Sequence, residues 1–261
     1  MNTEPLDVIP LWCFFLLTMA IGMLVMEGGY RFGQWRHVRV AEEKEVPVGA
    51  MVASLLGLVA IMLAFTFNLA AGRFDARRQV VLEEANAVGT TYLRARLLPE
   101  PQRTEIVELL RKYTELRVHG IAEGKIAEVI NQSGELQNQL WSKGVAAAEK
   151  NPNSIMTGLF LQSLNETIDL HAKRVFVGLH SRIPFSMWLA LFGLTLLGTA
   201  SIGYQAGLSA TRRSPEMPIL ILAFACVLFL IVDLDRGHAG FLQVSQQSMA
   251  DVLKSMQTAP P

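Results

Sequence analysis

The chain has 261 residues, 51% of them apolar and 18% charged, and its 23 Lys and Arg balance its 23 Asp and Glu. This neutrality removes the electrostatic footprint of a nucleic-acid binder or of a protein built for acidic substrates. The two cysteines, Cys13 and Cys226, lie far apart in apolar stretches, which excludes both a disulfide framework and a metal-type spacing.

The charges concentrate between residues 73 and 182 and in two short loops, leaving four stretches almost free of them. That pattern predicts an all-α integral membrane protein: four transmembrane helices with a helical extramembrane insert between the second and third. The first apolar run, from Val8 to Met26, has the roughly 20 residues that cross a hydrocarbon core, with Trp12 at one edge and Tyr30 and Trp35 beyond the other. Glu4 and Asp7 precede it without Lys or Arg, and no small-residue cleavage pattern follows, so it is expected to be retained.

The second span starts near Pro47 and runs through Leu55, Leu63 and Phe67 to Gly72, where Arg73, Asp75, Arg77 and Arg78 end any contact with lipid. Neither Pro nor paired Gly interrupts the chain from Arg73 to Leu98. The spacing therefore predicts one helix of about 50 residues, longer than a bilayer is thick, stopped by Pro99 and Pro101.

Two amphipathic helices follow, over 102–122 and 125–150. Ile106, Leu109, Leu110, Tyr113 and Leu116 mark the buried stripe of one, and Ile126, Val129, Ile130, Leu136 and Leu140 that of the other. Asn151 to Ser154 is a turn with a helix N-cap, and 155–181 is again helical, expected to run across Arg182 into the third span with a kink at Pro184. The third span covers Ile183 to Tyr204 and the fourth Pro218 to Val232, and a tail with weak amphipathic spacing (Val244, Met249, Val252, Leu253, Met256) ends the chain. The expected divisions are a first transmembrane pair, 1–72; the helical insert, 73–182, continuous with spans two and three; a second pair, 183–234; and the tail, 235–261. Arg31, Arg36, Arg39, Lys44, Arg212 and Arg213 in the short loops place the insert and both termini on the outer side.

Beyond Gly72 the second helix carries a small, polar stripe, because Gly72, Ala76, Gln79, Glu83, Asn86 and Thr90 are separated by three or four residues. Such a stripe lines a water-filled path around a symmetry axis, or it is a hydrogen-bonded packing face. Arg73, Arg77 and Arg78, where the helix leaves the bilayer, either snorkel toward headgroups or form a positive collar at a pore mouth. Inside the span, Gly57, Ile61 and Phe65 share a four-residue spacing that suits an apolar constriction as well as ordinary lipid-facing or packed residues. Thr66 and Asn68 are expected to hydrogen-bond between helices. The five histidines, His37, His119, His171, His180 and His238, have no ligand spacing, and Glu166 and Asp169 lack a His partner. No catalytic residue, metal site or cofactor is expected.

The stretches Leu63-Ala-Phe-Thr-Phe67, Arg73-Phe-Asp-Ala-Arg-Arg78, Glu83-Glu-Ala-Asn-Ala-Val-Gly-Thr-Thr-Tyr-Leu-Arg94, Leu98-Pro99 and Asp233-Leu-Asp-Arg236 resemble the bacterial bestrophin-like family, and the resemblance covers nearly the whole chain. A fainter likeness extends to true bestrophins, pentameric anion channels whose second segment lines the neck and ends in an Arg followed by aromatic residues. With Arg73-Phe74 as that pair, the likeness implies neck positions at Phe65, Ile61 and Gly57. It implies a homo-oligomer, a pentamer by analogy, that passes small ions in a bacterial inner membrane. The glycine at 57 departs from a bulky neck residue, and the acidic cluster that holds calcium in bestrophins is reduced here to Asp233 and Asp235. True bestrophins also keep the insert in the cytoplasm, opposite to the side the loop charges indicate. The rival expectation is a non-conducting membrane scaffold that presents the helical insert to a partner.

Overall fold

The computed structural model describes residues 9–39, 45–122, 125–209, 216–237 and 240–258. Lys44, Arg212, Arg213 and His238 lie outside the described residues, and so does the start of the first apolar run. Eight α-helices and no strand are present among the described residues: α1 (Leu11–Arg39), α2 (Glu45–Ala95), α3 (Gln102–Ala122), α4 (Ile126–Lys150), α5 (Ile155–Leu179), α6 (Phe185–Leu208), α7 (Glu216–Asp235) and α8 (Gln247–Thr258). Of these α1, α2, α6 and α7 are long and apolar enough to cross a membrane. The chain divides into two compact units, residues 1–73 with 182–242 and residues 74–181 with 243–261.

The first unit holds α1, the part of α2 up to Arg73, α6 and α7. Its packing rests on small residues, since in lipid no hydrophobic force drives helices together and close backbone approach must supply the attraction. A Cβ added to Gly29 would lie 2.2 Å from the Ala200 carbonyl oxygen, and one added to Gly203 would lie 2.2 Å from that of Met26. One turn further along both helices, Gly33 meets Tyr204 and Gly207 meets Tyr30 in the same way, so α1 and α6 run parallel with their backbones in contact. Aromatic rings fill the remaining space: Phe192 lies 5.5 Å from Trp188, nearly stacked, and 6.1 Å from Phe14. Large side chains such as Leu24, Leu189 and Ile219 remain exposed, as lipid-facing positions must.

The expected unbroken helix across Arg182 is not formed. α5 stops at Leu179 and α6 starts at Phe185, with Pro184 as its N-cap residue. Proline has no N–H for a helical bond and disfavours helical geometry in the residue before it. The amide of that residue, Ile183, donates to Asp235 Oδ1 instead (3.1 Å). The second span, by contrast, does continue as α2 to Ala95, where Pro99 and Pro101 follow.

In the second unit, α3, α5 and α8 pack against the part of α2 beyond Arg73, and α4 lies against α3 and α5. Val88, Tyr92, Ile106, Leu110, Tyr113, Leu140, Phe160 and Leu164 form the core. The tail is an integral part of it: Met249 and Met256 of α8 are buried there, and the Met256 carbonyl accepts from Tyr92 (3.3 Å) and Arg111 (3.2 Å). The Ser154 hydroxyl caps α5 by accepting from the Thr157 amide at 3.2 Å, as the Asn-Pro-Asn-Ser turn predicts.

Candidate functional site

The α2 face selected from sequence is open. Within the first unit Ile61 is 54% exposed and Phe65 67%, and Gly57 and Asn68 are exposed beside them. Nothing lies within 4 Å of a Cβ built on Gly57 or on Gly72. Within the second unit Ala76, Gln79, Asn86 and Thr90 are exposed, and Glu83 is half-buried. Lys173 of α5 donates to Glu83 Oε2 at 2.8 Å and Gln79 to Oε1 at 3.2 Å, and the Lys173 bond holds the Glu83 carboxyl below its usual range. Thr66 is buried and bonds within its own helix, to the Met62 carbonyl at 2.7 Å, rather than between helices. The carbonyl one turn back keeps a second lone pair beside its helical bond and is the nearest acceptor for a helical threonine.

The three arginines differ. Arg78 is exposed. Arg73, in the first unit, is half-buried with Nη1 3.9 Å from Asp235 Oδ1, and Arg77, in the second, is buried. At 100° per residue Arg77 points well away from the Gln79–Thr90 stripe, which accounts for its burial.

Behind the open face of the second unit lies a charged cluster that the sequence reading passed over. Glu84, 0% exposed, receives hydrogen bonds from Tyr113 (2.7 Å), from Arg117 Nε and Nη2 (3.1 and 3.2 Å) and from Arg174. His171 Nδ1 is 3.8 Å from Glu84 Oε1, Gln137 donates to the Tyr113 hydroxyl at 3.4 Å, and Arg174 also donates to Gln246. Burial opposes the Glu84 charge, but His171 and the two guanidiniums more than offset it and hold the carboxyl well below the usual range. Burial, reinforced by the Glu84 charge, pushes the Tyr113 hydroxyl up, and burial pulls the Arg174 guanidinium down. Every carboxylate lone pair is engaged, so the cluster ties α2, α3, α4, α5 and the segment before α8 together. The signal was present in sequence: Glu84 falls among Val80, Val81 and Val88, Arg117 continues the Ile106–Leu110–Tyr113 stripe, and His171 continues Phe160–Leu164–Thr167.

At the end of α7 both remaining acidic residues are engaged by protein groups. The Asp233 oxygens accept from the Phe241 and Leu242 amides at 2.7 and 3.2 Å. Asp235 accepts from Ile183 and faces Arg73, and Arg182 donates to its carbonyl. Arg236, beside them, donates to the Ile9 carbonyl at 2.6 Å. Two carboxylates committed to backbone amides and flanked by a guanidinium do not fit a calcium ion, which takes 6–8 oxygen ligands. Among the described residues no group of three or more His, Cys, Asp or Glu could hold a metal ion.

Two solved structures share this architecture. A bacterial bestrophin homologue from Klebsiella pneumoniae has 17% identity and a TM-score of 0.66 over 95% of this chain and 98% of that one. A tyrosine-to-alanine variant of the Klebsiella pneumoniae homologue has 17% identity and a TM-score of 0.68 over 93% and 97%. At these identities the likeness concerns the fold alone. Among curated proteins none matches the sequence. The sequence itself matches the bestrophin-like domain over residues 14–249, and the chain belongs to that family.

Proposed function

We propose that the chain is a subunit of a homo-oligomeric channel for small ions, anions foremost, with its pore lined by α2. The observation that carries this reading is the open face of α2. Ile61 and Phe65 stand exposed inside the span, and Gln79, Asn86 and Thr90 stand exposed beyond it, at spacings that place them on one side of one helix. Amide and hydroxyl groups on such a face call for water, which copies arranged around an axis supply. Ile61 and Phe65, with Gly57 a turn away, then form an apolar neck that gates by dewetting. Arg78, the most open of the three arginines, supplies positive potential at the mouth, and Arg73 and Arg77 add to the field from behind. Five copies, as in the bestrophins the sequence resembles, and a bacterial inner membrane complete the proposal.

A non-conducting scaffold is the alternative, favoured by the apolar side chains of Leu93, Leu97, Ile155 and Met156 that stand exposed in the second unit. Reconstitution into planar bilayers separates the two. Ile61→Ala and Phe65→Ala widen and wet the neck and raise the current, while Arg78→Gln lowers anion preference, an effect that high salt weakens because charges are screened beyond about 8 Å at physiological ionic strength. An intact oligomer that stays electrically silent in the parent and in both alanine variants overturns the channel in favour of the scaffold.

A further inference from the structure

A cavity of about 290 Å³ opens within the first unit, between α1, α6 and α7. Its wall comes from Ile9 and from residues 14–22, 192–199 and 221–228, the first half of α1 and the middle of α6 and α7, three helices able to cross a membrane. The rim residues Leu17, Ile21 and Leu196 are exposed, so the recess is accessible from outside the unit. Gly22 sets its floor, because a Cβ there would lie 2.8 Å from Ile221 Cγ2 and force α1 from α7.

The wall chemistry is uniform. No lining residue is charged. Thr18, Thr195 and Thr199 bring hydroxyls, but each donates to a carbonyl one turn back on its own helix, those of Phe14, Leu191 and Thr195, at 2.8, 2.7 and 2.7 Å. Methyls, methylenes and the rings of Phe14, Phe192 and Phe224 remain, in a stretch of helix whose solvent is hydrocarbon.

We propose that this recess binds one acyl chain of a membrane phospholipid. Water is disfavoured because it needs two to four polar partners, and the hydroxyl donors are already used. A free fatty acid drawn wholly into the recess is disfavoured because its buried carboxylate would need a cation, and none lines the wall. A phospholipid tail has neither problem, since its headgroup stays at the bilayer surface while the chain enters from the side. The recess is about twice the size of an apolar cavity of ~150 Å³ that takes up benzene, room for a segment of one chain. Moving a chain from bilayer to recess gains nothing from leaving water, so binding depends on dispersion contacts and shape, and filling the recess abolishes it.

The test uses the full chain with Trp12, Trp35 and Trp141 replaced by phenylalanine, leaving Trp188. That indole is 2% exposed and lies 5.5 Å from Phe192 of the wall. The protein is placed in phosphatidylcholine vesicles containing increasing fractions of phosphatidylcholine brominated midway along its chains, a contact quencher of tryptophan. The expected result is Trp188 quenching with a component that saturates at low brominated fraction. Thr18→Phe and, from the opposite wall, Leu196→Phe remove that component while eluting from gel filtration like the parent. Quenching that grows only in proportion to brominated lipid, unchanged in both variants, overturns the proposal in favour of bulk lipid. Saturable quenching by brominated free fatty acid and not by brominated phosphatidylcholine overturns it in favour of the free acid. No quenching at any fraction overturns it in favour of a side chain from a second copy. The readout is fluorescence, so it stands or falls independently of conduction.

Discussion

Replacing Glu84 by glutamine keeps the shape of the side chain and removes the one negative charge facing the buried Arg117 and the half-buried Arg174. One carboxamide oxygen cannot accept what two carboxylate oxygens accept from Tyr113, Arg117 and Arg174, and the new NH2 points a donor at donors. Breaking a buried ion pair by removing one partner costs about 3–5 kcal/mol, because the other partner is left uncompensated. For a chain of this size that is a fall of roughly 10 °C in thermal midpoint. Detergent-solubilised protein followed by far-UV circular dichroism measures it. Adding Arg174→Met to Glu84→Gln should recover part of the loss by removing one stranded cation. The pH dependence has a definite sign. Because the folded carboxyl titrates below its ordinary value of 4.5, the stabilisation is fully present above about pH 4.5 and declines as pH falls through the folded value. Parent and variant should therefore differ by a constant amount from pH 7 to 5 and converge only in stronger acid. A variant within about 0.5 kcal/mol of the parent at pH 7 refutes the reasoning, because that is the range of surface substitutions.

Gly203→Ala should destabilise the α1–α6 pair by at least the 1–3 kcal/mol typical of overpacking, since the obstacle is the Met26 carbonyl rather than a mobile side chain. Gly28→Ala on the same α1, with nothing within 4 Å of its Cβ, should be neutral or stabilising in the same thermal assay. Asp233→Asn should cost about 1.5–3 kcal/mol by weakening charge-assisted bonds from the Phe241 and Leu242 amides, and hydrogen exchange at those two amides should accelerate while that of Tyr92 stays as in the parent.

The existence of the helices was legible in sequence because length, apolar composition and three-to-four spacing are properties of a segment by itself. Four helices long and apolar enough to cross a membrane, the long α2 and the helices between the second and third of them follow from that alone. That Gln79, Glu83, Asn86 and Thr90 share one side of α2 was legible for the same reason, but whether that side is open or packed was not, because exposure depends on what surrounds the helix. The family followed from one long run of residues, Glu83 to Arg94. Pairings between distant segments were decided only by the tertiary structure. Gly29 and Gly203 are 174 positions apart in numbering, and each is required only because the other helix arrives there. Glu84 was overlooked beside Glu83 because two adjacent carboxylates are equivalent in composition. The 100° turn between them puts one on the open face with Lys173 and the other in a core where Arg117 and Arg174, from two other helices, make its charge tolerable. At Pro184 the sequence predicts only a kink, because the proline weakens the helix locally while the acceptor that stabilises a full break, Asp235, comes from the far end of α7. Burial and charge compensation are sums over neighbours, and neighbours exist only once the chain has folded.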